Sequence, residues 1–326
     1  MATIHTLQEI QKALSGVNLT PYIEQGFIAY SNNEVIVPPV GELIFDDPPG
    51  DTHIKYGYIK GDEIYVIKIA SGFYNNPELG LSSSSGLMLV FSQKTGILQN
   101  ILLDDGHLTN IRTAIAGQIA AKHLAPETIN TIGVLGTGIQ ARMQVEYLKS
   151  VTPCREVVVW GRTPERVEEY KYDLETKGFN VAQADSPTQV ASSVNLIITT
   201  TPSSTPLLFA ADIQPGTHIT AMGSDTDKKQ ELDSSILARA DIVIGDSISQ
   251  CRERGEISKA LAAGVIEEKH IIELGNYISN TPPFKRDNKT ISVVDLTGVA
   301  VQDIQIAAAV CEKLMQMNRE PRSKVS

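Results

Sequence analysis

Residues Thr131 to Ala141 read TIGVLGTGIQA. An apolar run ends at Gly136, a second glycine follows at Gly138, and Ala141 completes the pattern G-x-G-x-x-A. In this spacing the first glycine permits a tight strand-to-helix turn, and the second lets a backbone approach a pyrophosphate. The third small residue lets the helix pack on the strand. The stretch predicts either a dinucleotide-binding turn, with Thr137 between the glycines, or an ordinary turn.

Downstream of this turn, strand-like and helix-like segments alternate. The predicted strands are 131–135, 156–160, 180–182, 196–200, 218–222, 242–245 and 291–294, and the predicted helices between them are 139–149, 164–177 and 188–191. Alternating strands and helices form a parallel, doubly wound sheet. We therefore expect an α/β protein with a Rossmann-type nucleotide-binding domain over residues 126–300.

Upstream, the pattern is different. Two helix starts, a Thr6-to-Glu9 capping box and Thr20-Pro21, predict that the chain opens with helices. Short β-rich pieces punctuated by proline and glycine follow, at 35–37, 43–45, 52–59, 63–70, 86–91 and 97–103. Their spacing without helices predicts a mainly antiparallel sheet. This α+β part is expected to form a separate domain.

Two further helices are predicted around the nucleotide-binding domain. The alanine-rich segment 108–124 would link the first domain to the second, and the segment 301–317 would return to the first domain. The first domain is therefore expected to be discontinuous, comprising residues 1–125 and 301–326. Its expected role is substrate binding.

Composition excludes several classes of partner. The formal net charge is −10 without a long basic block, which argues against nucleic acid and anionic membranes. The first residues lack the basic and apolar regions of a secretory signal, and three widely spaced cysteines suit a reducing compartment, so a cytoplasmic protein is expected. The six histidines show no paired metal-ligand spacing, and no metal site is expected.

The end of the second nucleotide-domain strand bears on cofactor choice. NAD-selective enzymes usually place an acid there to bind the ribose hydroxyls, but this chain has Gly161, Arg162 and Thr163. An arginine in an uncharged loop can accept a 2′-phosphate, which favours NADPH over NADH. The alternative is that Arg162 is a solvated surface residue.

A hydroxyl-rich strand end adds to the candidate cofactor residues. Thr200, Thr201 and Pro202 follow the fourth strand, at the edge of a doubly wound sheet that faces the nucleotide crevice. Threonine is also simply a good strand former.

Two cations of the first domain are candidate substrate ligands. Lys68 stands inside the apolar strand YVIKIA, where burial without a partner is costly, so it would pair with an anion. Arg112 lies near a helix start, where a guanidinium fork suits a carboxylate. The alternatives are that Lys68 points outward from an edge strand and that Arg112 pairs with Asp104 or Asp105.

A carboxylate stands just past a strand in the nucleotide half. In the stretch AMGSD, Asp225 follows Met222 and Gly223, two further candidate cofactor residues, at the sheet edge where sites form. Asp225 is either an acid or base beside the reacting carbon or a turn residue.

Together these stretches resemble a known family. The runs DDGHLTNIRTA, GTGIQA, TTTPSSTPLL, GTHITAMGSD and DLTGVAVQD are similar to those of the ornithine cyclodeaminase/mu-crystallin family, over nearly the whole chain. The stretch KIASGFYNNPELGL looks closest to the branch of ectoine-utilisation cyclodeaminase-like proteins and iminosuccinate reductase. The resemblance implies a homodimer formed by the discontinuous first domain, and a Rossmann domain carrying NAD(P). It also implies hydride transfer at the α-carbon of an amino or imino acid.

The resemblance also implies roles for individual residues. Lys68 and Arg112 match the family's substrate-contacting cations, and Asp225 matches the aspartate that cyclodeaminases use near the substrate amine. Leu296 and Gly298 fall where the family approaches the nicotinamide.

The dinucleotide turn carries over in the same way. Gly136, Gly138, Gln140 and Ala141 match the family's turn, and residues 160–163 (WGRT) are similar to the NADPH-using mu-crystallin pattern.

One departure from the family affects substrate choice. The family's arginine after an early proline is absent, since residues 39–41 read PVG. Lys55 is the candidate replacement, or else a surface charge. This loss weakens an ornithine assignment.

The sequence therefore predicts an NAD(P)H-dependent oxidoreductase acting on the C–N bond of a small α-amino or α-imino acid. Arg112 and Lys68 would bind its carboxylate, and Asp225 would balance the proton at nitrogen. One alternative is a redox-neutral cyclodeaminase that releases ammonia. The other is a mu-crystallin-like protein that binds NADPH or a small ligand without turnover.

Overall fold

The computed structural model describes residues 2–73, 75–279 and 286–319. The chain divides into two compact units, Met1–Arg112 with Val299–Ser326, and Thr113–Gly298. The sequence analysis placed the two boundaries elsewhere. The first was between residues 125 and 126, after the predicted helix 108–124, and the second was between residues 300 and 301, before the predicted helix 301–317. Residues 320–326 of the predicted first domain lie outside the described ranges.

The first unit contains a seven-stranded sheet in the order β1-β7-β6-β5-β4-β2, with β3 paired to β4. Its strands are β1 (Thr3–Thr6), β2 (Val35–Ile36), β3 (Gly41–Asp46), β4 (Pro49–Ile59), β5 (Ile64–Phe73), β6 (Ser84–Ser92) and β7 (Leu98–Leu103). All pairs are antiparallel except β1 with β7. The prediction of a mainly antiparallel sheet is confirmed.

Four helices contribute to this unit: α1 (Leu7–Leu14), α2 (Thr20–Ser31), the start of α3 (His107–Leu124) and α11 (Ala300–Arg319). The predicted capping box is present at the start of α1, where the Thr6 side chain accepts from the Glu9 N–H. Helices α2 and α11 pack on each other, and α11 packs on β4 and β5. Buried Phe27, Val66 and Met88 belong to the resulting core.

The expectation that the chain opens with helices is wrong. Residues Thr3–Thr6 form a strand before α1 and pair in parallel with β7, with Ile4 opposite Ile101. The segment TIHT is too short to show a β pattern by itself. Its extended shape depends on the edge of β7, which lies almost a hundred residues away in sequence.

The second unit contains an eight-stranded parallel sheet in the order β10-β9-β8-β11-β12-β15-β13-β14. Its strands are β8 (Ile132–Leu135), β9 (Glu156–Trp160), β10 (Asn180–Gln183), β11 (Leu196–Thr199), β12 (His218–Ala221), β13 (Ile242–Gly245), β14 (Ile271–Glu273) and β15 (Ser292–Asp295). The predicted doubly wound sheet is confirmed, and only β14 was missed among these strands.

Helices surround this sheet: α4 (Ile139–Tyr147), α5 (Pro164–Glu175), α6 (Pro187–Ser193), α7 (Ser234–Arg239), α8 (Ile248–Cys251), α9 (Gly255–Ala262) and α10 (Leu274–Ser279). The last four were not predicted, because each is only a few residues long and shows little periodicity. Strand order reverses between β8 and β11, so the crevice expected for a nucleotide lies where these two strands end.

Candidate functional site

A cavity of about 290 Å³ lies at the carboxyl edge of the parallel sheet, at this reversal of strand order. It is lined by Gly136, Thr137, Gly138, Trp160, Gly161, Arg162, Thr163, Thr200, Thr201, Pro202, Ser203 and Leu207. The structure thus brings together in one cavity most of the cofactor residues predicted from sequence. Trp160, Ser203 and Leu207 are additional lining residues.

The glycine turn in this cavity has the geometry that a dinucleotide needs. Gly136 has a φ of +116°, and a Cβ built on it would lie 2.5 Å from the Thr200 Oγ1. Gly138 caps the N-terminus of α4, and a Cβ there would meet open space. A pyrophosphate can therefore approach the backbone at Gly138 and the N–H groups of the first turn of α4. These residues fit a nicotinamide dinucleotide.

Arg142 holds this turn from within α4. Its guanidinium donates to the carbonyls of Thr137 and Gly138 and to the Asp173 carboxylate at 2.7 Å, and it lies over the Tyr170 ring. The cation therefore holds the carbonyl groups of the turn on the helix side. Sequence reasoning did not identify this residue.

The side chain of Arg162 is exposed and borders the cavity at the end of β9. Thr163 follows, and α5 begins at Pro164. The position where NAD-selective enzymes carry an acid is therefore occupied here by an exposed cation at the border of the cavity.

Two further predicted residues of the turn, Gln140 and Ala141, lie in the first turn of α4 and do not line the cavity. Ala141 is fully buried, so its small side chain serves helix–strand packing. The side-chain Oε1 of Gln140 accepts from the Gln144 Nε2 at 3.3 Å. Gln144 is itself buried and also donates to the Thr113 carbonyl.

The other predicted cofactor residues follow β12 and β15, which are neighbours in the sheet. Met222 is buried directly after β12, and Gly223 follows. Leu296 donates its N–H to the Ala221 carbonyl at 2.8 Å, and Gly298, with a φ of +80°, donates its N–H to the Asp246 Oδ2 at 2.7 Å. These residues continue the carboxyl edge of the sheet beyond the lining of the cavity.

In the first unit, three buried cations come together. Lys55 on β4 and Lys68 on β5 are directly opposite each other in the strand register, and they are 7% and 3% exposed. Arg112 in the second turn of α3 is 5% exposed. Strand β5 lies between β4 and β6, so the outward, edge-strand alternative for Lys68 is wrong. The surface-charge alternative for Lys55 is wrong as well.

A single carboxylate of α11 connects two of these cations. The Asp303 Oδ1 accepts from the Arg112 Nε at 3.1 Å, and its Oδ2 lies 4.0 Å from the Lys68 Nζ. Gln302 accepts from the Arg112 Nη1 at 3.1 Å. The alternative that Arg112 pairs with Asp104 or Asp105 is wrong, because the long helix α11 brings Asp303 of the distant C-terminal segment to the arginine.

Asp104 is a second carboxyl near this cluster. Its Oδ2 accepts from the Leu108 N–H at 2.8 Å, and the residue is 1% exposed. Burial raises the pKa of Asp104 to about 6, and the nearby Asp303 adds to the shift while Lys68 opposes it. The charge of Asp104, which acts on Lys68, therefore changes within the pH range where many enzymes are assayed.

Asp225 lies in the loop after β12 in the second unit, with a side chain that is 45% exposed. Its Oδ1 lies 2.6 Å from the Lys229 Nζ, and its backbone carbonyl accepts from Arg254 at 3.4 Å. A half-exposed carboxylate held by a cation remains accessible to a ligand or to water.

Within the described ranges, no cluster of His, Cys, Asp and Glu is arranged to bind a metal ion. Nor does any helix of these ranges combine the length and the apolar character that crossing a membrane requires.

The family is decided by a match to the ornithine cyclodeaminase/mu-crystallin family over residues 1–318. The chain belongs to this family. The predicted family is therefore confirmed on nearly the full length of the chain.

Known relatives show what the family does. The chain is 39% identical over 277 residues to the uncharacterized cyclodeaminase y4tK of Sinorhizobium fredii, covering 84% of each chain. It is 31% identical over 269 residues to iminosuccinate reductase of Paracoccus denitrificans, covering 81% of this chain and 82% of the relative. A cyclodeaminase and an iminosuccinate reductase are therefore among the relatives of this chain.

A solved structure agrees in fold and cofactor. An archaeal alanine dehydrogenase dimer with bound NAD superposes with a TM-score of 0.87 and 29% identity, covering 100% of this chain and 99% of that one. The chain thus belongs to a family whose members are nicotinamide-dependent enzymes that act on C–N bonds of amino and imino acids. The predicted fold class and enzyme class are confirmed.

Proposed function

We propose that this protein is an NAD(P)H-dependent imino acid reductase, which also runs the reverse amino acid oxidation. The observation that carries the proposal is the cluster of Lys55, Lys68 and Arg112 in the first unit. Like charges directly opposite each other destabilise a sheet, and a bound carboxylate would offset that repulsion. A guanidinium and two ammonium groups also match the carboxylate that every α-amino and α-imino acid carries.

Each group has a distinct task in this reaction. Arg112 binds the substrate carboxylate through its fork, and Lys68 and Lys55 add charge that orients it. Asp225 provides or removes the proton at the substrate nitrogen, directly or through a water. When bound, the nicotinamide supplies or accepts the hydride. The fit of the glycine turn to a dinucleotide and the NAD-bound relative support this division of roles.

A direct assay tests the proposal. The purified protein is mixed with NADH or NADPH and one imino acid at a time: pyrroline-2-carboxylate, piperideine-2-carboxylate, and oxaloacetate or pyruvate with ammonia. Loss of the reduced nicotinamide absorbance with at least one imino acid is expected. Tight cofactor binding without turnover of any substrate in the panel would contradict a reductase.

The similarity to a cyclodeaminase favours one second candidate, a redox-neutral cyclodeamination of a diamino acid. Its test uses ornithine and diaminobutyrate with catalytic NAD. Ammonia release without net change in nicotinamide absorbance would support the cyclodeaminase, and absence of ammonia would exclude it for these substrates.

The cofactor preference is part of the proposal, with NADPH favoured by Arg162. Replacing Arg162 with alanine is expected to raise the Kd for NADPH about tenfold or more while changing that for NADH little, since a hydrogen bond to a charged group contributes about 1.5–3 kcal/mol. Trp160, the one tryptophan of the sequence, lines the cavity, so its fluorescence can report binding. R166A serves as the control, because Arg166 pairs with Glu169 on the exposed side of α5. Equal effects on both nucleotides would remove the assigned phosphate site.

The carboxyl near Lys68 predicts a pH dependence. Because the pKa of Asp104 is raised to about 6, the group is neutral below this pH and negative above it. As the pH rises through about 6, the added negative charge is expected to weaken the binding of an anionic substrate. The KM of the wild type for the imino acid should therefore increase severalfold between pH 5 and pH 7.5.

The variant D104N isolates this effect, because its side chain does not titrate. The ratio of the wild-type KM to the D104N KM should rise with pH. D46N, a change on the exposed strand β3, is the control, and the ratio of the wild-type KM to the D46N KM should not change with pH. A D104N profile parallel to that of the wild type would show that Asp104 does not act on the substrate.

We also propose that the protein is a homodimer formed by the first unit. The sheet face opposite Lys55 and Lys68 is apolar and half-exposed across four strands: Tyr56 and Tyr58 on β4, Ile67 and Ile69 on β5, Leu87 and Leu89 on β6, and Leu103 on β7. An antiparallel sheet that faces water usually carries polar residues there, so this face suits a second copy of the chain.

Light scattering after size exclusion tests the dimer. The wild type is expected at twice the chain mass, and I67K at the chain mass, because the lysine would be buried at the centre of the contact. Y172K, on exposed α5, should leave the mass unchanged. A monomeric wild type would contradict the dimer.

A further inference from the structure

Glu231 is a buried carboxylate at the carboxyl edge of the parallel sheet, in the segment between β12 and α7. It is fully buried. Its Oε1 accepts from the Thr201 N–H at 2.6 Å, and its Oε2 accepts from the Gly223 N–H at 2.9 Å. One carboxylate thus bonds to two separate loops of the second unit.

These two loops have different tasks in the proposed function. Thr201 follows β11 and lines the nucleotide cavity. Gly223 follows β12 and precedes Asp225 by two residues. A Cβ on Gly223 would overlap both the Glu231 carboxylate and the Thr201 carbonyl, so the loops are in close contact around the bridge. Movement of either loop would break a charge-assisted hydrogen bond.

The backbone around Glu231 holds the same cavity wall. The Glu231 carbonyl accepts from the Leu207 N–H at 2.7 Å, and the Gln230 N–H donates to the Ser203 carbonyl at 2.8 Å. Ser203 and Leu207 both line the cavity. The segment 230–231 therefore supports the wall from residue 201 to residue 207 along its length.

A second buried carboxylate fixes this segment in turn. Glu256, in the first turn of α9, accepts from the Glu231 N–H at 2.8 Å and from the Leu232 N–H at 3.1 Å. Burial raises the pKa values of both glutamates. Carboxylates are costly to bury, and backbone donors offset part of that cost here. Two buried acids that together accept from four backbone N–H groups indicate that the loop positions matter.

We propose that Glu231 is a positioning residue that holds the wall of the nucleotide cavity in its binding conformation and ties it to the loop of Asp225. It acts through Thr201 and Gly223 and touches neither substrate nor cofactor. The cofactor part rests on the cavity, and the link to Asp225 rests on the proposed function.

Cofactor binding without substrate tests the inference. E231Q keeps the size of the side chain but points an amide N–H at one of the two backbone donors. Trp160 fluorescence should show a Kd for NADH and NADPH raised about tenfold or more, while circular dichroism shows the wild-type fold. E268Q, the same change at an exposed glutamate paired with Arg252, should leave the Kd unchanged.

A second variant covers the case in which E231Q does not fold. E256Q leaves the Glu231 carboxylate in place but loosens its backbone, and it should raise the same Kd by a smaller factor. A folded E231Q or E256Q that binds both nucleotides as tightly as the wild type would overturn the inference, because a purely structural role lowers only the melting temperature.

This binding measurement is independent of the substrate. A wild type that binds NADH but turns over no amino or imino acid would contradict the proposed function and leave the cavity-wall role of Glu231 intact. An unchanged Kd in the folded variants, with turnover in the wild type, would contradict the cavity-wall role of Glu231 and leave the proposed function intact.

Discussion

Replacing Arg112 with lysine is expected to lower kcat/KM for the imino acid about 10- to 100-fold, mainly through KM. The lysine keeps the positive charge beside Asp303 but loses the planar fork that can hold a carboxylate with two parallel hydrogen bonds. A hydrogen bond to a charged group contributes about 1.5–3 kcal/mol, and each 1.4 kcal/mol is a factor of ten.

Lysine is a better test than alanine at this position. Removing one member of a buried ion pair costs about 3–5 kcal/mol, because the other charge is left buried. R112A would leave Asp303 in that situation, so a loss of activity could reflect unfolding. The measurement for R112K is steady-state kinetics over a range of imino acid concentrations, with the melting temperature as a check on folding.

Two outcomes are informative for R112K. Unchanged Trp160-monitored binding of NADH with raised KM would support a substrate role for Arg112. A kcat/KM equal to that of the wild type would contradict it and leave Arg112 as a partner of Asp303 only. R166K, the same change at an exposed position of α5, should have no effect on either quantity.

Replacing Asp225 with asparagine is expected to lower kcat about 10²- to 10⁴-fold, the usual contribution of a positioned acid or base. The amide has nearly the same shape as the carboxylate but cannot transfer the proton at the substrate nitrogen. The Kd for NADH should stay within about a factor of two, because the asparagine can still accept from Lys229 and the Glu231 bond to the Gly223 N–H is retained.

The same loop offers a matched control. Asp227 is exposed, and its backbone carbonyl accepts from Lys259. D227N should therefore retain wild-type kcat. If D225N also retains it, Asp225 is a turn residue that pairs with Lys229, the alternative that the sequence left open.

Local sequence was sufficient for the nucleotide half of the candidate site. Gly136 was identified because its role depends on backbone freedom, and Gly138 because its role depends on the absence of a side chain. The structure shows a positive φ at the first and open space at the second. Arg162 and Thr200 could be named for the same reason. They follow strands of a predicted parallel sheet, and carboxyl ends of such strands meet at one edge.

The substrate half was predictable only in part. Lys68 was noticed because a cation inside an apolar strand needs an anion, and the structure places Asp303 close by. Asp303 itself was not identified, although it stands in the apolar face of a helix, a signal that could have been used. Its pairing with Arg112 spans 191 residues, and no pattern in the sequence indicates which distant segments will pack against each other.

The sequence by itself determined the family, the parallel sheet and the glycine turn, because these depend on periodicity and on neighbours a few residues apart. The tertiary structure alone decided that Lys55 is opposite Lys68, that Thr3–Thr6 is a strand, and that Glu231 bonds to two loops. Each of these depends on strand register or on packing between segments far apart in the chain. Burial then decides the energy of every charge, and burial is a property of the folded molecule.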